Sequence, residues 1–91
     1  MDETKVIRVR YWAAARSAAG TAEETVEADG SLTLADLRAE LVRRHPGSRL
    51  PEVIAVCSVL VGDRPVASQD PAAVEVPPGA VVEFLPPFAG G

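Results

Sequence analysis

Ninety-one residues and 9.5 kDa allow one small domain, and 47% apolar against 24% charged residues is the composition of a folded chain, not a disordered one. Thirteen acids against nine bases leave a net charge of −4 and a pI near 4.8, which argues against the broad basic face of a nucleic-acid binder. Cys57 is the only cysteine and His45 the only histidine, so no intrachain disulfide, cysteine zinc site, histidine metal cluster or Ser-His-Asp arrangement is expected.

Val6 to Trp12 alternates, with Ile7, Val9 and Tyr11 on one face and Arg8 and Arg10 on the other, the pattern of a half-buried strand. The residues before it hold no long apolar run, so neither a signal peptide nor a membrane span is expected and the location is cytoplasmic by default. Trp12 to Ala19 reads as a short helix closed by Gly20 at the position after its end. Thr21 to Ala28 is extended again, and Asp29-Gly30 signals a turn. Whether the two strands form a hairpin or a crossover stays open.

The clearest element is a helix beginning after Thr33. Thr33 caps it with Asp36 three residues on, and Leu32 and Leu37 form a hydrophobic staple across its start. Leu34, Leu37 and Leu41 recur at helical spacing as one buried stripe. Arg43, Arg44 and His45 suit a helix C-terminus electrostatically, and Pro46-Gly47 ends it. Ile54 to Val61 is a nearly continuous apolar run with β-branched residues, read as a central strand. Val61-Gly62-Asp63-Arg64 turns into a short strand at Pro65-Val66-Ala67. Pro77-Pro78-Gly79 turns again, before a strand over Ala80–Leu85 with Val82 and Phe84 on one face. Several strands and one well-capped helix make an α+β domain whose helix covers one sheet face.

No set of polar residues stands out as a catalytic cluster. Glu23 and Glu24 are adjacent on a strand and point to opposite faces, so they are expected as solvated charges, and truncating Glu24 is expected to be harmless. Cys57, inside an apolar strand, is expected as an inert buried thiol, and Asp63 as a turn residue.

The C-terminus is unusual: Phe84-Leu85-Pro86-Pro87-Phe88-Ala89-Gly90-Gly91 is apolar and uncharged. Two glycines remove the side chains that would obstruct a narrow channel, and Pro86-Pro87 projects the tail stiffly from the last strand. From Phe88 onward, four residues reach about 13–14 Å, enough to thread into another protein's active site. Phe88 is an apolar anchor of the kind that dominates interfaces. A small domain that presents a threaded carboxylate reads as a carrier.

The strand Ile7-Arg8-Val9-Arg10-Tyr11, the helix start Thr33-Leu34-Ala35-Asp36-Leu37, the segment Ala55 to Val61 and the ending Pro-Pro-Phe-Ala-Gly-Gly together resemble the MoaD family, the ubiquitin-like small subunits of molybdopterin synthase. Cys57 stands where many relatives carry Asn. The resemblance implies a β-grasp (ubiquitin-like) fold over residues 1–85, a mixed sheet with one principal helix on one face, and a reactive tail over 86–91. It also implies a cycle in which an E1-like (MoeB-type) adenylyltransferase activates the Gly91 carboxylate with ATP. A sulfur donor protein then converts the acyl-adenylate to a thiocarboxylate, and a MoaE-type large subunit receives the tail for molybdenum cofactor synthesis. On that reading this chain binds no cofactor itself and is a carrier, with catalysis supplied by the large subunit. Gly91 bears the sulfur, Gly90 gives passage, and Leu85, Pro86, Pro87, Phe88 and Ala89 dock. A thiazole-pathway (ThiS-type) carrier and a protein modifier conjugated through Gly91 share the same fold and tail.

Overall fold

In the computed structural model, residues 6–66 and 69–87 are described. Alternation makes the first strand: in β1 (Val6–Tyr11) Ile7, Val9 and Tyr11 are buried while Arg8 and Arg10 face solvent. A short helix α1 (Ala13–Ala19) follows, and Gly20 ends it in the left-handed region at φ 77°, its N–H donating to the Arg16 carbonyl at 2.9 Å. The chain returns as β2 (Glu23–Glu27), antiparallel to β1 with Val9 opposite Glu24. The open question about these two strands thus resolves as an antiparallel pair with a helix inserted in the connection.

Thr33 ends the two-residue strand β3 (Leu32–Thr33) and caps α2 (Leu34–Arg44), accepting the Asp36 N–H on its Oγ1 at 3.0 Å. Leu34, Leu37 and Leu41 are the buried stripe of α2, as the spacing predicts. The expected central strand over Ile54–Val61 is only half strand. Leu50–Val56 is a third helix, α3, and β4 is Ser58–Val61. Pro51 sits in the first turn of α3, where its missing N–H costs nothing, and Leu50 and Ile54, one turn apart, are both buried. Helical pairing of those two residues outweighs the strand preference of Val53, Ile54 and Val56.

Gly62, at φ 63°, turns β4 into β5 (Arg64–Pro65). Val66 follows the strand rather than extending it, and Ala67, expected in the same strand, lies outside the described residues. A 3₁₀ turn (Pro71–Ala73), β6 (Glu75–Val76), paired with β3, and β7 (Val81–Leu85) complete the chain. The main sheet runs β2-β1-β7-β4-β5, with β1 and β7 parallel and the other pairs antiparallel. This is the α+β, β-grasp arrangement expected, with two short helices beside the principal one. Ile7, Val9, Val82 and Phe84 from the sheet and Leu37 and Leu41 from α2 are fully buried in one cluster. Tyr11 stacks on Phe84 with ring centroids 6.0 Å apart.

Leu37 is inaccessible to solvent, so Leu37→Ala should cost about 2–5 kcal/mol of folding free energy. Chemical denaturation measures it; an unchanged midpoint would contradict the packing of α2 on the sheet.

Candidate functional site

The tail leaves from the middle of the sheet. β7 is flanked by β1 and β4, with Tyr11 opposite Phe84 on one side and Ser58 opposite Leu85 on the other. Leu85 is half-buried, while Pro86 and Pro87 emerge exposed. Phe88, Ala89, Gly90 and Gly91, the other tail residues singled out from the sequence, lie outside the described residues. The structure therefore places the root of the tail and its immediate surroundings.

Trp12 dominates those surroundings. Its backbone N–H donates to the Phe84 carbonyl at 3.0 Å, fixing it beside the end of β7. Its indole Nε1–H donates to Glu83 Oε1 at 3.0 Å, and the Arg10 guanidinium lies 5.1 Å from the ring centroid. A cation on its face and an acceptor at its edge hold the ring, although the residue is 41% exposed. Trp12 and Val56 are the two exposed large apolar residues among those described. With Cys57, Pro86 and Pro87 they line one apolar groove at the tail root. Sequence reasoning placed Trp12 at the start of a helix and missed this role. The signal was there: Trp12 follows Arg8 and Arg10 in the alternation and so belongs to the outer face.

Cys57 is not inside a strand. It follows α3 in an extended conformation, its N–H donating to the Ile54 carbonyl, and it is half-buried. Burial pushes its thiol pKa up, against the opposing charge of Arg38, which keeps it protonated and a poor nucleophile at neutral pH.

A second polar constellation sits on the inner face at the β2 edge, and it corrects two expectations. Glu24 is no free surface charge. Directly opposite Val9, it points toward the buried side of the sheet, where its carboxylate accepts from Tyr11 Oη at 2.6 Å and meets His45 Nε2 at 2.8 Å and Arg44 Nη1 at 3.3 Å. Arg44 also donates to the Thr25 carbonyl at 2.8 Å and to Glu40 at 2.9 Å. Arg44 and His45, read as cations favoured at a helix end, are thus the means by which the C-terminus of α2 is tied to β2. Burial works against the Glu24 carboxylate, but the donors from Tyr11, His45 and Arg44 outweigh it and hold the pKa below the ordinary value. Burial, reinforced by Glu24, pushes the Tyr11 phenol far above its usual range. Hydrogen bonds from Arg43 and Arg44 bring the Glu40 carboxyl down to about 2. Both carboxylates are engaged by donors of the same chain, so the cluster holds the fold together rather than presenting a reactive group. Among the described residues no group of His, Cys, Asp or Glu is placed to hold a metal ion, and no helix is long and apolar enough to cross a membrane.

Glu24→Ala should therefore destabilise the chain, by about 1–3 kcal/mol, because it strips a carboxylate of charge-assisted bonds and strands the Tyr11 hydroxyl. The pH dependence has a definite sign. A depressed carboxylate pKa contributes stability in full above the unfolded value near 4.5 and loses it as pH falls through the lower folded value. In urea titrations the gap between parent and Glu24→Ala should narrow as pH drops below that value; a constant gap would mean that the Glu24 charge contributes nothing.

Comparison with known proteins adds the relationships. The model of the ThiS family matches residues 9–91. The molybdopterin synthase sulfur carrier subunit of Chlamydomonas reinhardtii is 33% identical over 85 residues, covering 93% of this chain and 98% of that one. A Pyrococcus furiosus protein assigned as molybdopterin converting factor subunit 1 superposes with a TM-score of 0.74 at 27% identity, over 91% of this chain and 98% of its own. Two more distant structures share the fold: small archaeal modifier protein 1 of Methanosarcina acetivorans (TM-score 0.72, 20% identity, 94% of this chain and 96% of that one), and a complex of subunits 1 and 2 of the Helicobacter pylori molybdopterin-converting factor (TM-score 0.62, 24% identity, 94% and 99%).

Proposed function

The chain belongs to the ThiS family, and from that premise we propose that it is the sulfur carrier subunit of a molybdopterin synthase. The observation that carries this reading is the near full-length relationship to the Chlamydomonas sulfur carrier at 33% identity. The tail ending in Gly90-Gly91 and leaving the sheet through two exposed prolines supports it.

The chemistry derives from the carboxylate. At neutral pH it is a poor electrophile, so an E1-like partner supplies ATP. A Gly91 carboxylate oxygen attacks the α-phosphorus, pyrophosphate leaves, and the acyl-adenylate forms. Sulfur at the sulfide level, delivered by a donor protein, then attacks the acyl carbon, the acyl–phosphate bond breaks and AMP leaves, so that Gly91 carries a thiocarboxylate. A large subunit of the kind found in the Helicobacter pylori complex receives the tail beside the anionic pterin precursor. The acidic balance of this chain, −4 overall, makes it a poor host for that anion, so the basic substrate pocket belongs to the large subunit. Gly90 passes the channel, while Phe88, Ala89 and Leu85 with Pro86 and Pro87 dock.

Co-expression with the activating partner should yield an oxygen-to-sulfur exchange confined to the C-terminal peptide in intact-mass and peptide spectra. Deleting Gly91 should abolish molybdopterin formation with the fold intact, because the reacting carboxyl then falls one residue short, about 3.3–3.6 Å, where misplacement of about 1 Å already costs around 100-fold. Phe88→Ala should instead weaken association with the large subunit by about 1–3 kcal/mol, with activity recovering as that subunit is titrated in. Normal turnover by the Gly91 deletion would overturn the carrier reading. Capture of the thiocarboxylated chain by a thiazole-forming enzyme in place of the large subunit would move it to the thiazole branch.

A further inference from the structure

An outer strand presents unpaired N–H and C=O groups to any extended chain it meets, and so invites strand addition. The main sheet ends in β5 on one side and in β2 on the other. Brevity closes β5, which has two residues, one of them Pro65 without an N–H. β2 has five residues and is long enough to take another strand. Which of its groups face outward follows from the ladder. The Tyr11 N–H donates to the Ala22 carbonyl at 2.8 Å, and bonding alternates along an antiparallel pair. Glu24 and Val26, opposite Val9 and Ile7, therefore bond to β1, while Glu23, Thr25 and Glu27 turn their backbone groups outward.

Side chains of the same chain already occupy two of those three outward carbonyls. Thr21 Oγ1 donates to the Glu23 carbonyl at 3.0 Å, and Arg44 Nη1 to the Thr25 carbonyl at 2.8 Å. The Arg44 guanidinium is held where it is, since its Nε donates to Glu40 at 2.9 Å and its Nη1 also meets Glu24 at 3.3 Å. It lines a groove of about 490 Å³ between β2 and α2, alongside the edge that an added strand would follow. A bond to the Glu24 side chain would suffice to tie α2 to β2. Ending a second bond on the middle carbonyl of the open edge does something further.

Charge acts in the same direction. The antiparallel register that would pair the whole of β2 with a second copy centres on Thr25. It sets Glu23 of each chain directly opposite Glu27 of the other, and like charges so placed are destabilising. Arg10 approaches Glu23 only to 3.9 Å in an exposed pair, which offsets little of that charge. Glu27 makes no ion pair with another described residue.

We infer that Arg44 and Thr21 lock the β2 edge against strand addition, with Glu23 and Glu27 repelling a second copy, so that the free chain stays single. The lock belongs to the domain alone and stands or falls apart from the sulfur chemistry.

The purified full chain is compared with an uncapped variant (Thr21→Val with Arg44→Ala), a neutralised variant (Glu23→Gln with Glu27→Gln) and the two combined. Glu24→Ala is the stability control: it loosens the same network but leaves Arg44 its bonds to Glu40 and to the Thr25 carbonyl. Circular dichroism confirms the fold in each, and Arg44→Met, which keeps the aliphatic stem, takes the place of Arg44→Ala where the latter does not fold. In sedimentation velocity the parent, the neutralised variant and Glu24→Ala should remain at the monomer mass. The combined variant should climb to about twice that mass as its concentration is raised. Exchange of the Thr25 and Glu27 amides in the associated sample should slow at least about tenfold, which identifies β2 as the paired strand. A folded combined variant that stays monomeric overturns the proposal, as does association that leaves those two amides unprotected. Equal association by Glu24→Ala overturns it too, because loosening of the fold rather than an uncapped edge would then be the cause.

Discussion

Parallel pairing of β1 with β7 is the constraint on which the remaining structure depends. It joins the beginning of the described chain to its end in the middle of the sheet, with Val9 opposite Val82 and Tyr11 opposite Phe84. Those residues are the floor on which α2 lays Leu37 and Leu41. The pairing also sets what the tail meets as it leaves. Because β1 and β7 run in the same direction, both finish at the same end of the sheet, and the first residue past β1, Trp12, bonds to the carbonyl of Phe84.

Tyr11 and Trp12 therefore divide two tasks between successive residues. Tyr11, 2% exposed, points inward and hands its hydroxyl to Glu24, which gathers His45 and Arg44 and so ties the end of α2 to the sheet edge. Trp12 points outward to the groove and is held by Arg10 and Glu83. A polar network on one side and an apolar groove on the other are built from a single alternation of side chains. Arg43, Arg44 and Glu40 form an exposed ion cluster on α2, but only Arg44 reaches across to β2, which makes it the member that matters for tertiary structure.

Most of the architecture was legible because its signals are local. Alternation wrote β1, a cap and a leucine stripe wrote α2, and a left-handed glycine closed α1. Where the sheet ends was legible too, since Pro86 and Pro87 have no N–H with which to extend a ladder. What was misread depended on partners distant in sequence. Glu24 was judged by its charge, whereas its phase with Val26 and Ala28, both buried, puts it on the inner face. Its acceptors found donors 13 and 21 residues away. The run from Ile54 to Val61 looked uniform because helix and strand abut at Cys57 with no charged residue to separate them. The pair Leu50 and Ile54, one helical turn apart, carried the helix, and the pairing of Ser58 to Val61 with β7 carried the strand.

The position of β7 also bears on how a carrier can be handled by other proteins without coming apart. An enzyme that draws the C-terminus into a channel pulls on the strand the tail continues. Were β7 an edge strand, that load would be opposed by one ladder and the strand could peel from its end. Here β7 is held on both sides, to β1 by parallel pairing and to β4 by antiparallel pairing, and Phe84, one residue before its end, is wholly buried. Release of the strand would require breaking two ladders and withdrawing Phe84 from the core at once, a cooperative loss comparable to global unfolding. Pro86 and Pro87 complete the separation. Neither offers an N–H to extend either ladder, so the pairing stops at Leu85. A partner's channel can therefore take up the tail without altering the register of the sheet.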